Sequence, residues 1–370
     1  MNNLMKKKLL VFKMKRLKLL FLLLMVFAYL SFYIPVPYYI AAPGIAVKLK
    51  RVISVENGYS EKGDFMLTTI RMNPGNLGYY LYSLFLPNIE YIPKHYILNP
   101  DEDPEEYEKR QLLVMKQSQE EALIAAFQKA NVPFQIKQKG ILVAGMIKGM
   151  PAEKIFQVGD VIIKVDQKPT YKLDDFLAIL RNKKPGDKMS ITFLRNQSTL
   201  TKKVSLVSLS TKEGGTKQRA GLGFYPSEER EVIPLRKVSF HTNEIGGPSA
   251  GFMFTLEIIN QLVPDDLTRG YQIAGTGTIR ADGKVGQIGG AKLKVHAAKE
   301  AGAEIFFVPK DIEPNDSNQK EVENENRKLA KPMMIVPVAN LDEALQFLKQ
   351  LPYKNDTSKT DSQKSTKNVL

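Results

Sequence analysis

The sequence predicts a multidomain α/β protein with an N-terminal transmembrane helix. Three observations predict this fold class. A long uncharged apolar run follows a lysine-rich start, and a middle region of short apolar strands between glycine and proline turns predicts a β-rich domain. A later region rich in glycine and alanine alternates helical and strand-like segments, as an α+β domain does. With 370 residues, the chain can hold two or three such units.

The positive charge of the chain is unevenly distributed. The formal net charge is +14, and the basic residues between positions 6 and 18 precede every acidic residue. The remaining charges are mixed in sign, so the sequence does not favour nucleic-acid binding. The chain has no cysteine and only three widely spaced histidines, which excludes disulfides, thiol nucleophiles and a zinc-peptidase motif. We therefore expect no metal site and no cofactor.

Residues 19–40 predict a membrane anchor. Residues 19–34 carry no charge, but a helix of that length spans only about 24 Å, which is short for a bilayer. A cleaved signal peptide is the alternative, although the small pair Ala41-Ala42 makes a poor cleavage site. We expect an uncleaved single-pass anchor in the cell membrane, with residues 1–18 as a basic cytoplasmic segment and the later residues extracytoplasmic.

Residues 41–127 are predicted to form an extracytoplasmic connector. Loosely alternating residues on both sides of Asn57-Gly58 indicate a small β element. Residues 104–130 have apolar positions at helical spacing, with Asp103 as a candidate cap. Because no residues of recognisable chemistry occur here, we expect a spacer and packing platform.

Residues 128–208 resemble a PDZ domain of the type associated with bacterial proteases. The resemblance rests on Gly-Ile-Leu-Val at 140–143, Gly-Met-Pro-Ala at 149–152 and Val-Gly-Asp at 158–160. It implies a groove, walled by a helix at 174–181, in which an extended peptide adds to an edge strand. The residues implied to bind the peptide are Gly140, Ile141, Leu142 and Val143. The alternative is that Ile141 and Val143 are ordinary strand core and Gly140 a turn residue.

Ser249 is a candidate nucleophile because it lies among small residues before a buried helix. Gly-Gly-Pro-Ser-Ala-Gly at 246–251 precedes an apolar stretch at 252–263. Pro248 suits a first helical turn, where free N–H groups can stabilise an oxyanion. Alone, the motif also fits a capped helix. An esterase triad would need a later histidine, for which His296 is the candidate.

Further motifs follow Ser249 in a characteristic order. They are Gly275-Thr276-Gly277, Gly289-Gly290-Ala291-Lys292, Ala301-Gly302 and Val308-Pro309. With the serine motif, they resemble the peptidase domain of Lon proteases (S16 type) over residues 220–351. The resemblance implies a serine endopeptidase with a Ser-Lys dyad. It makes Ser249 the nucleophile and Lys292 the general base. The supporting residues are Thr276, which would orient the lysine, Gly247 and Pro248.

A lysine acts as a base only when its pKa is lowered, so Lys292 is expected to be buried. Lys294 is its nearest rival. At about 100° per residue, Lys294 lies about 200° further round the helix, and we expect it to face solvent.

The expected function is ATP-independent proteolysis at the membrane. The sequence lacks the phosphate-binding loop of an ATPase. The chain resembles PDZ-Lon proteins of Gram-positive bacteria, which implies cleavage of secreted or membrane-tethered polypeptides that the PDZ domain presents. The expected partners are polypeptide substrates and the membrane, without nucleic acid or ATP, and a homo-oligomer is conceivable.

A catalytically idle PDZ adaptor that binds extracytoplasmic partners is the alternative to a protease. An adaptor would not need to keep Ser249, Thr276 and Lys292 together. Outside the folded units, residues 209–219 are predicted to be a linker and residues 352–370 a disordered tail.

Overall fold

The computed structural model describes residues 2–99, 102–209, 219–242 and 245–354. Most of the predicted linker and the predicted tail from residue 355 onward lie outside the described residues. The chain divides into two compact units, which are Met1–Gly44 with Ile70–Ile97 and Ile45–Thr69 with Leu98–Leu370.

The described residues form the following elements. The α-helices are α1 Asn2–Ser31, α2 Leu77–Ser83, α3 Lys94–Ile97, α4 Pro104–Lys129, α5 Leu173–Arg181, α6 Gly251–Leu262, α7 Ala291–Glu300, α8 Asn318–Asn326 and α9 Leu341–Gln350. The first nine strands are β1 Pro35–Lys48, β2 Ile53–Val55, β3 Asp64–Asn76, β4 Glu90–Pro93, β5 Phe134–Met146, β6 Val161–Val165, β7 Lys168–Pro169, β8 Lys188–Arg195 and β9 Ser198–Ser205. The other strands are β10 Val207–Leu209, β11 Arg219–Gly221, β12 Phe224–Pro234, β13 Val238–Phe240, β14 Gln272–Gly275, β15 Thr278–Ile279, β16 Val285–Gly286, β17 Ile305–Pro309 and β18 Met334–Val338.

In the first unit, α1 ends before the predicted anchor does. Helix α1 stops at Ser31, and β1 begins at Pro35. Prolines at 35 and 37 have no N–H to donate and fix an extended approach, so the helix cannot continue through them. Residues 38–41 of β1 pair with β4 in antiparallel register. Residues 35–40 of the predicted membrane segment over 19–40 are therefore strand rather than helix.

Among the residues that the structure describes, no helix combines the length and the apolar character needed to cross a bilayer. The predicted transmembrane helix is thus not confirmed.

A mainly parallel sheet organises the C-terminal part of the second unit. Its strands follow the order β18-β17-β14-β3-β1. Asp64–Leu67 of β3 pairs in parallel with Gln272–Gly275 of β14. Phe65 and Leu67 enter the core on one face of the sheet, and Met66 enters the core on the other. Residues 64–67, which were predicted to be part of a spacer over 41–127, are therefore a central strand of this sheet.

Helices cover both faces of this sheet. Buried residues of α4, α6 and α9 share one core with Phe65 and Leu67. Buried residues of α7 and α8 share the other core with Met66. Asp103 caps α4 as predicted, in a capping box with Glu106. These layers bring the N-terminus of α6 and the first turns of α7 to one end of the sheet.

A second sheet forms the β-rich domain. Its strands follow the order β12-β5-β6-β8-β9, and its core holds Phe156, Phe176, Phe193 and Phe224. Helix α5 contributes Phe176 to this core. Strand β12 begins at Phe224, within the range that the sequence assigned to the peptidase domain. The structure places this strand in the β-rich domain, paired along its length with β5.

Candidate active site and peptide groove

The side chains of Ser249 and Lys294 meet where α6 and α7 begin. Lys294 Nζ lies 2.7 Å from Ser249 Oγ and 2.9 Å from Thr276 Oγ1. Thr276 Oγ1 also donates to the backbone carbonyl oxygen of Ser249, at 3.1 Å. The loop before α6, the segment after β14 and α7 thus each supply one group to a single hydrogen-bonded cluster.

Burial changes the acid–base properties of Lys294. The residue is only 2% exposed, and this desolvation lowers the pKa of its amine to about 7. A charged ammonium is unfavourable away from water, whereas a neutral amine is tolerated. Lys294 can therefore lose and regain a proton near neutral pH, as a general base must.

Lys292 does not occupy the position that the sequence assigned to it. Helix α7 starts at Ala291, directly after Gly290, whose φ of 68° is left-handed. Lys292 is only half-buried, and the lysine that contacts Ser249 is Lys294. The prediction of Lys292 as the base, with Lys294 facing solvent, was therefore wrong.

The spacing of buried residues along α7 explains why Lys294, rather than Lys292, contacts Ser249. Ala291, Val295 and Ala298 pack into the core beneath α7. Lys294 follows Ala291 by three residues and precedes Ala298 by four, so it shares their face. A lysine at a core-facing position of a helix is unusual, and this was the signal in the sequence that could have identified Lys294.

The loop that carries Ser249 is held by backbone hydrogen bonds. The carbonyl oxygen of Ser249 accepts from Gly277 N at 2.9 Å. Helix α6 begins at Gly251 with Ala250 at its N-cap, so Ser249 stands just outside the helix. Of the first N–H groups of α6, Gly251 N donates to Pro248 O at 3.3 Å and Phe252 N donates to Gly277 O at 3.1 Å. Ser249 nevertheless stands at the positive end of the α6 dipole, which favours negative charge beside it.

Helix α4 holds Gly247 and Pro248, the predicted supporting residues. Gly247 has a left-handed φ of 86°, and its N–H donates to Gln111 O at 3.1 Å. The carbonyl oxygen of Pro248 accepts from Ser118 Oγ at 3.0 Å. Gln111 and Ser118 are thus supporting residues that sequence reasoning missed, because their motif-free helix carried no chemical signal.

His296 contacts another part of the domain. Its Nε2 lies 2.9 Å from Glu325 Oε1 of α8. An esterase triad would require His296 to accept the proton of Ser249. The group that contacts Ser249 Oγ is instead the amine of Lys294.

The predicted peptide-binding residues lie inside the second sheet. Gly140, Ile141, Leu142 and Val143 are all buried in β5. Ile141 pairs with Glu228 of β12 on one side and with Ile162 of β6 on the other. A strand whose two edges are already paired cannot accept another strand. The prediction of a groove at 140–143 was wrong, and the strand-core alternative describes these residues.

A candidate groove lies instead between β12 and α5. Strand β12 is the edge of its sheet, so among the described strands only β5 pairs with it. A cavity of about 400 Å³ lies beside it, with an apolar lining that includes Phe176, Leu177, Leu180, Leu222, Phe224 and Pro226. The sequence signal was Gly-Leu-Gly-Phe at 221–224, where Gly223 has a left-handed φ of 85°.

A second cavity lies next to the serine loop. It measures about 390 Å³ and opens between α4, β12 and Pro248. Its charged lining residues are Glu120, Glu121, Glu228 and Arg230. Arg230 pairs with Glu121, whose other oxygen accepts from Ala281 N. This network joins β12 to the segment after β15.

Protein-family models match two parts of the chain. Residues 118–206 match the PDZ domain. Residues 242–350 match the Lon protease (S16) C-terminal proteolytic domain. The chain therefore carries a PDZ domain and the proteolytic domain of a Lon-type serine peptidase. Strand β12 lies between the two matched ranges, so the groove strand belongs to neither match.

Individual proteins are similar to parts of this chain. The Lon protease of Mycoplasmopsis agalactiae is 31% identical over 151 residues, which cover 38% of this chain and 14% of that protein. The Lon protease of Metamycoplasma arthritidis is 40% identical over 102 residues, which cover 28% and 11%. The chain thus spans 14% or less of these two relatives. The solved PDZ domain of an SdrC-like protein from Listeria monocytogenes is 22% identical, covering 24% of this chain and 86% of that one, with a TM-score of 0.21.

Proposed function

We propose that this chain is a serine endopeptidase in which Ser249 is the nucleophile and Lys294 is the general base. The observation that carries the proposal is the contact of 2.7 Å between a buried amine and the hydroxyl of a serine in a tight loop. The pKa of about 7 supports it, because the amine can be neutral when the hydroxyl must be deprotonated. The match of residues 242–350 to a proteolytic domain supports the same chemistry.

The geometry supports a two-stage acyl transfer. Lys294 takes the proton of Ser249 as Oγ attacks the carbonyl carbon of the scissile bond. The resulting ammonium then gives this proton to the leaving amine, which departs as the peptide bond breaks. A water molecule, deprotonated by the same amine, hydrolyses the ester on Ser249 and restores both groups.

Two further features support the charged stages of this reaction. Thr276 Oγ1 lies 2.9 Å from Lys294 Nζ and orients the amine towards Ser249. The positive end of the α6 dipole would stabilise the oxyanion, because preorganised dipoles act strongly in a site shielded from water. Both features are fixed before any substrate binds.

The finer part of the proposal concerns how substrates reach this site. We propose that the groove between β12 and α5 binds extended polypeptides, with β12 supplying the main-chain edge and the cavity lining supplying apolar contacts. Hydrolysis would need no nucleotide, because the dyad and groove lie within residues that carry no phosphate-binding loop.

Location at a membrane is a separate element of the proposal. The side chains of residues 19–30 in α1 are apolar or aromatic and solvent-exposed, including Leu22, Leu23 and Leu24. Exposed apolar surface of this extent favours contact with lipid. We propose an anchor at this helix and an extracytoplasmic peptidase, acting on secreted or membrane-tethered polypeptides. Retention of the full chain in carbonate-washed membranes, lost on removal of residues 2–31, would test the anchor.

Hydrolysis of an unstructured protein tests the enzymatic proposal. The full chain is incubated with β-casein, and fragments are followed by mass spectrometry. We expect fragments from the unaltered chain and none from Ser249→Ala, while Ser198→Ala, a change at an exposed serine of β9, cleaves normally. Equal fragmentation by Ser249→Ala would overturn the assignment. Binding without cleavage by the unaltered chain would favour the adaptor alternative.

A further inference from the structure

Three segments of the first unit meet at one end of strand β1. Helix α1 leads into β1 at Pro35. The backbone N–H of Leu77, the first residue of α2, donates to Ile34 O at 2.8 Å. Strand β4 runs antiparallel to β1 and ends at Pro93, opposite Tyr38, so α3 begins at the same end. The end of α1, α2 and α3 are therefore neighbours.

Helix α2 packs directly on the end of α1. A side chain at Gly78 would meet the ring of Phe32 and the hydroxyl of Ser31, each 2.8 Å from an added Cβ. Glycine therefore permits the close approach of the two helices. Asn76 caps α2, because its side chain accepts from Tyr79 N at 2.7 Å. The position of α2 beside α1 is thus fixed by packing and by hydrogen bonds.

The side chains that these segments expose are large and apolar or aromatic. No charged residue occurs at positions 72–89. Phe85, directly after α2, is 87% exposed, and exposed apolar surface of this kind marks a contact with lipid or protein. We define the apolar patch as the exposed residues Phe32, Leu81, Tyr82, Leu84, Phe85 and Tyr96.

The length of α1 indicates that lipid covers this patch. The uncharged part of α1, from residue 19 to Ser31, is about 20 Å long at about 1.5 Å per residue. The hydrocarbon core of a bilayer is about 30 Å thick. Lys18, which is exposed directly before this part, sets the boundary at the other side. A span that is too short draws the structure after it towards the lipid, so the segments next to Ser31 lie at the membrane surface.

The charges around the apolar patch suit the level of the lipid headgroups. Lys94 begins α3 at the end of β4 nearest to α1, where its ammonium can reach phosphate while its stem lies along apolar surface. Glu90 pairs with Ala41, further along β1 from α1. Tyr82 and Tyr96 have the amphipathic rings that are enriched where membrane meets water. A cation thus lies near the patch, and the acidic residue lies away from it.

We infer that the apolar patch inserts into the interfacial layer of the lipid bilayer beside the end of α1, as a second membrane contact of this chain. The inference rests on the anchor proposed at α1 and goes beyond it, because α2, the turn after it and α3 belong to the folded part of the first unit. A single helix leaves such a unit free to rotate about the helix axis. The second contact holds the first unit in one orientation on the membrane.

A single tryptophan in the full chain tests this contact, because the sequence contains none. Phe85→Trp and, separately, Leu23→Trp of α1 are reconstituted in vesicles of phosphatidylcholine and phosphatidylglycerol. The lipids are unmodified, brominated near the headgroup, or brominated near the bilayer centre, and bromine quenches tryptophan only at close range. For Phe85→Trp we expect at least about twofold lower emission with bromine near the headgroup, because interfacial side chains lie about 5–10 Å deep. Leu23→Trp should be quenched more strongly by bromine at the centre.

Arg71→Trp is the matched position within the same unit. Arg71 is exposed in β3, and its Nε donates to Pro43 O at 3.1 Å. Pro43 lies about 30 Å along β1 from Ile34, at about 3.3 Å per residue. We therefore expect no quenching of Arg71→Trp by either brominated lipid.

A charge in the apolar patch tests the contact in a second way. Leu84→Glu, added to Phe85→Trp, should restore most of the emission, because a carboxylate is unfavourable next to hydrocarbon. Asn73→Glu, at an exposed position of β3 outside the patch, should leave the quenching unchanged. Thermal unfolding confirms that each variant is folded.

The outcomes separate this inference from the proposed anchor. Quenching of Leu23→Trp without quenching of Phe85→Trp would overturn the second contact and leave the anchor intact. Equal quenching of Phe85→Trp and Arg71→Trp would also overturn it, because the contact would not be specific to the patch. If Phe85→Trp were shielded from aqueous iodide but not quenched by brominated lipid, a protein would cover the patch instead of lipid. Absence of quenching in every variant would overturn both the contact and the anchor.

Discussion

Lys294 Nζ lies 2.7 Å from Ser249 Oγ, although 45 residues separate the two in sequence. The lysine projects from the first turns of α7, and the serine precedes α6, so both are fixed by rigid elements. Between them, Thr276 contacts the amine and the serine backbone at once. The acid–base geometry is therefore complete without movement of a loop.

Separate substitutions of Lys292 and Lys294 distinguish the roles of the two lysines. We expect Lys294→Met to lower kcat by about 10³-fold or more, because the hydroxyl loses its proton acceptor. Lys292→Met should stay within about threefold of the unaltered chain, since Lys292 is not the lysine at Ser249. Steady-state hydrolysis of one peptide by both variants makes the comparison. If Lys292→Met alone were inactive, Lys294 would not be the base.

The activity should depend on pH through the amine of Lys294. Burial lowers its pKa to about 7, and only the neutral amine can accept the proton of Ser249. We expect kcat/KM to rise about tenfold per pH unit below about pH 7 and to level off above it. Initial rates between pH 5 and 9 give the profile. A flat profile across this range would contradict a lysine base.

Thr276 should act as a positioning residue for the amine. Thr276→Val keeps the shape of the side chain but removes the hydroxyl that contacts both Lys294 and the backbone of Ser249. We expect kcat to fall by about 10- to 100-fold with KM nearly unchanged. Thr276→Ser should restore most of the rate, because it returns the hydroxyl. Failure of the serine variant to do so would indicate a purely packing role.

A second buried cluster predicts a pH-dependent stability. Glu257 of α6 is fully buried and accepts from Gln261. Its Oε2 and Glu61 Oε1 have no hydrogen-bond partner among the described residues. Burial, together with the neighbouring carboxyl group, raises the pKa of Glu257 to about 8, and burial raises that of Glu61 to about 7. The folded state therefore holds protons that the unfolded chain releases.

The folded chain binds more protons than the unfolded chain, and this difference determines how stability changes with pH. Stability from the protonated pair is fully present below the ordinary carboxyl pKa and is lost as the pH rises through about 8. We expect the free energy of unfolding to fall by up to about 1.4 kcal/mol per pH unit for each proton over this interval. Glu257→Gln should flatten the dependence, and the exposed Glu108→Gln should not. Denaturant unfolding at several pH values measures both.

The nucleophile and Thr276 could be predicted from the sequence more reliably than the contacts that position them. Ser249 and Thr276 were identifiable because their motifs require small or polar residues at fixed points of a turn. The resemblance assigned the general base to Lys292, two residues before Lys294. The pattern of buried residues along α7, which favours Lys294, is independent of that motif. Burial of Lys294 depends on the core beneath the helix, which no short motif contains.

The fold was predictable in kind but not in its boundaries. Apolar runs and turns identified the β-rich domain, yet the groove was assigned to β5 rather than β12. That choice depends on which strand lies at the edge of the sheet, and pairing partners far apart in sequence decide it. The central position of Asp64–Leu67 was equally hidden, because its partner Gln272–Gly275 lies about 200 residues later.

The pairing of Phe65 with Ile273 also determines the order in which the chain can fold during synthesis. The ribosome makes β3 early, then the whole PDZ sheet, and only later β14. Because long-range pairing waits for its distant partner while nearby strands join quickly, the PDZ sheet should form while β3 is still unpaired. Each newly made molecule would thus be able to hold a peptide before it is able to cut one.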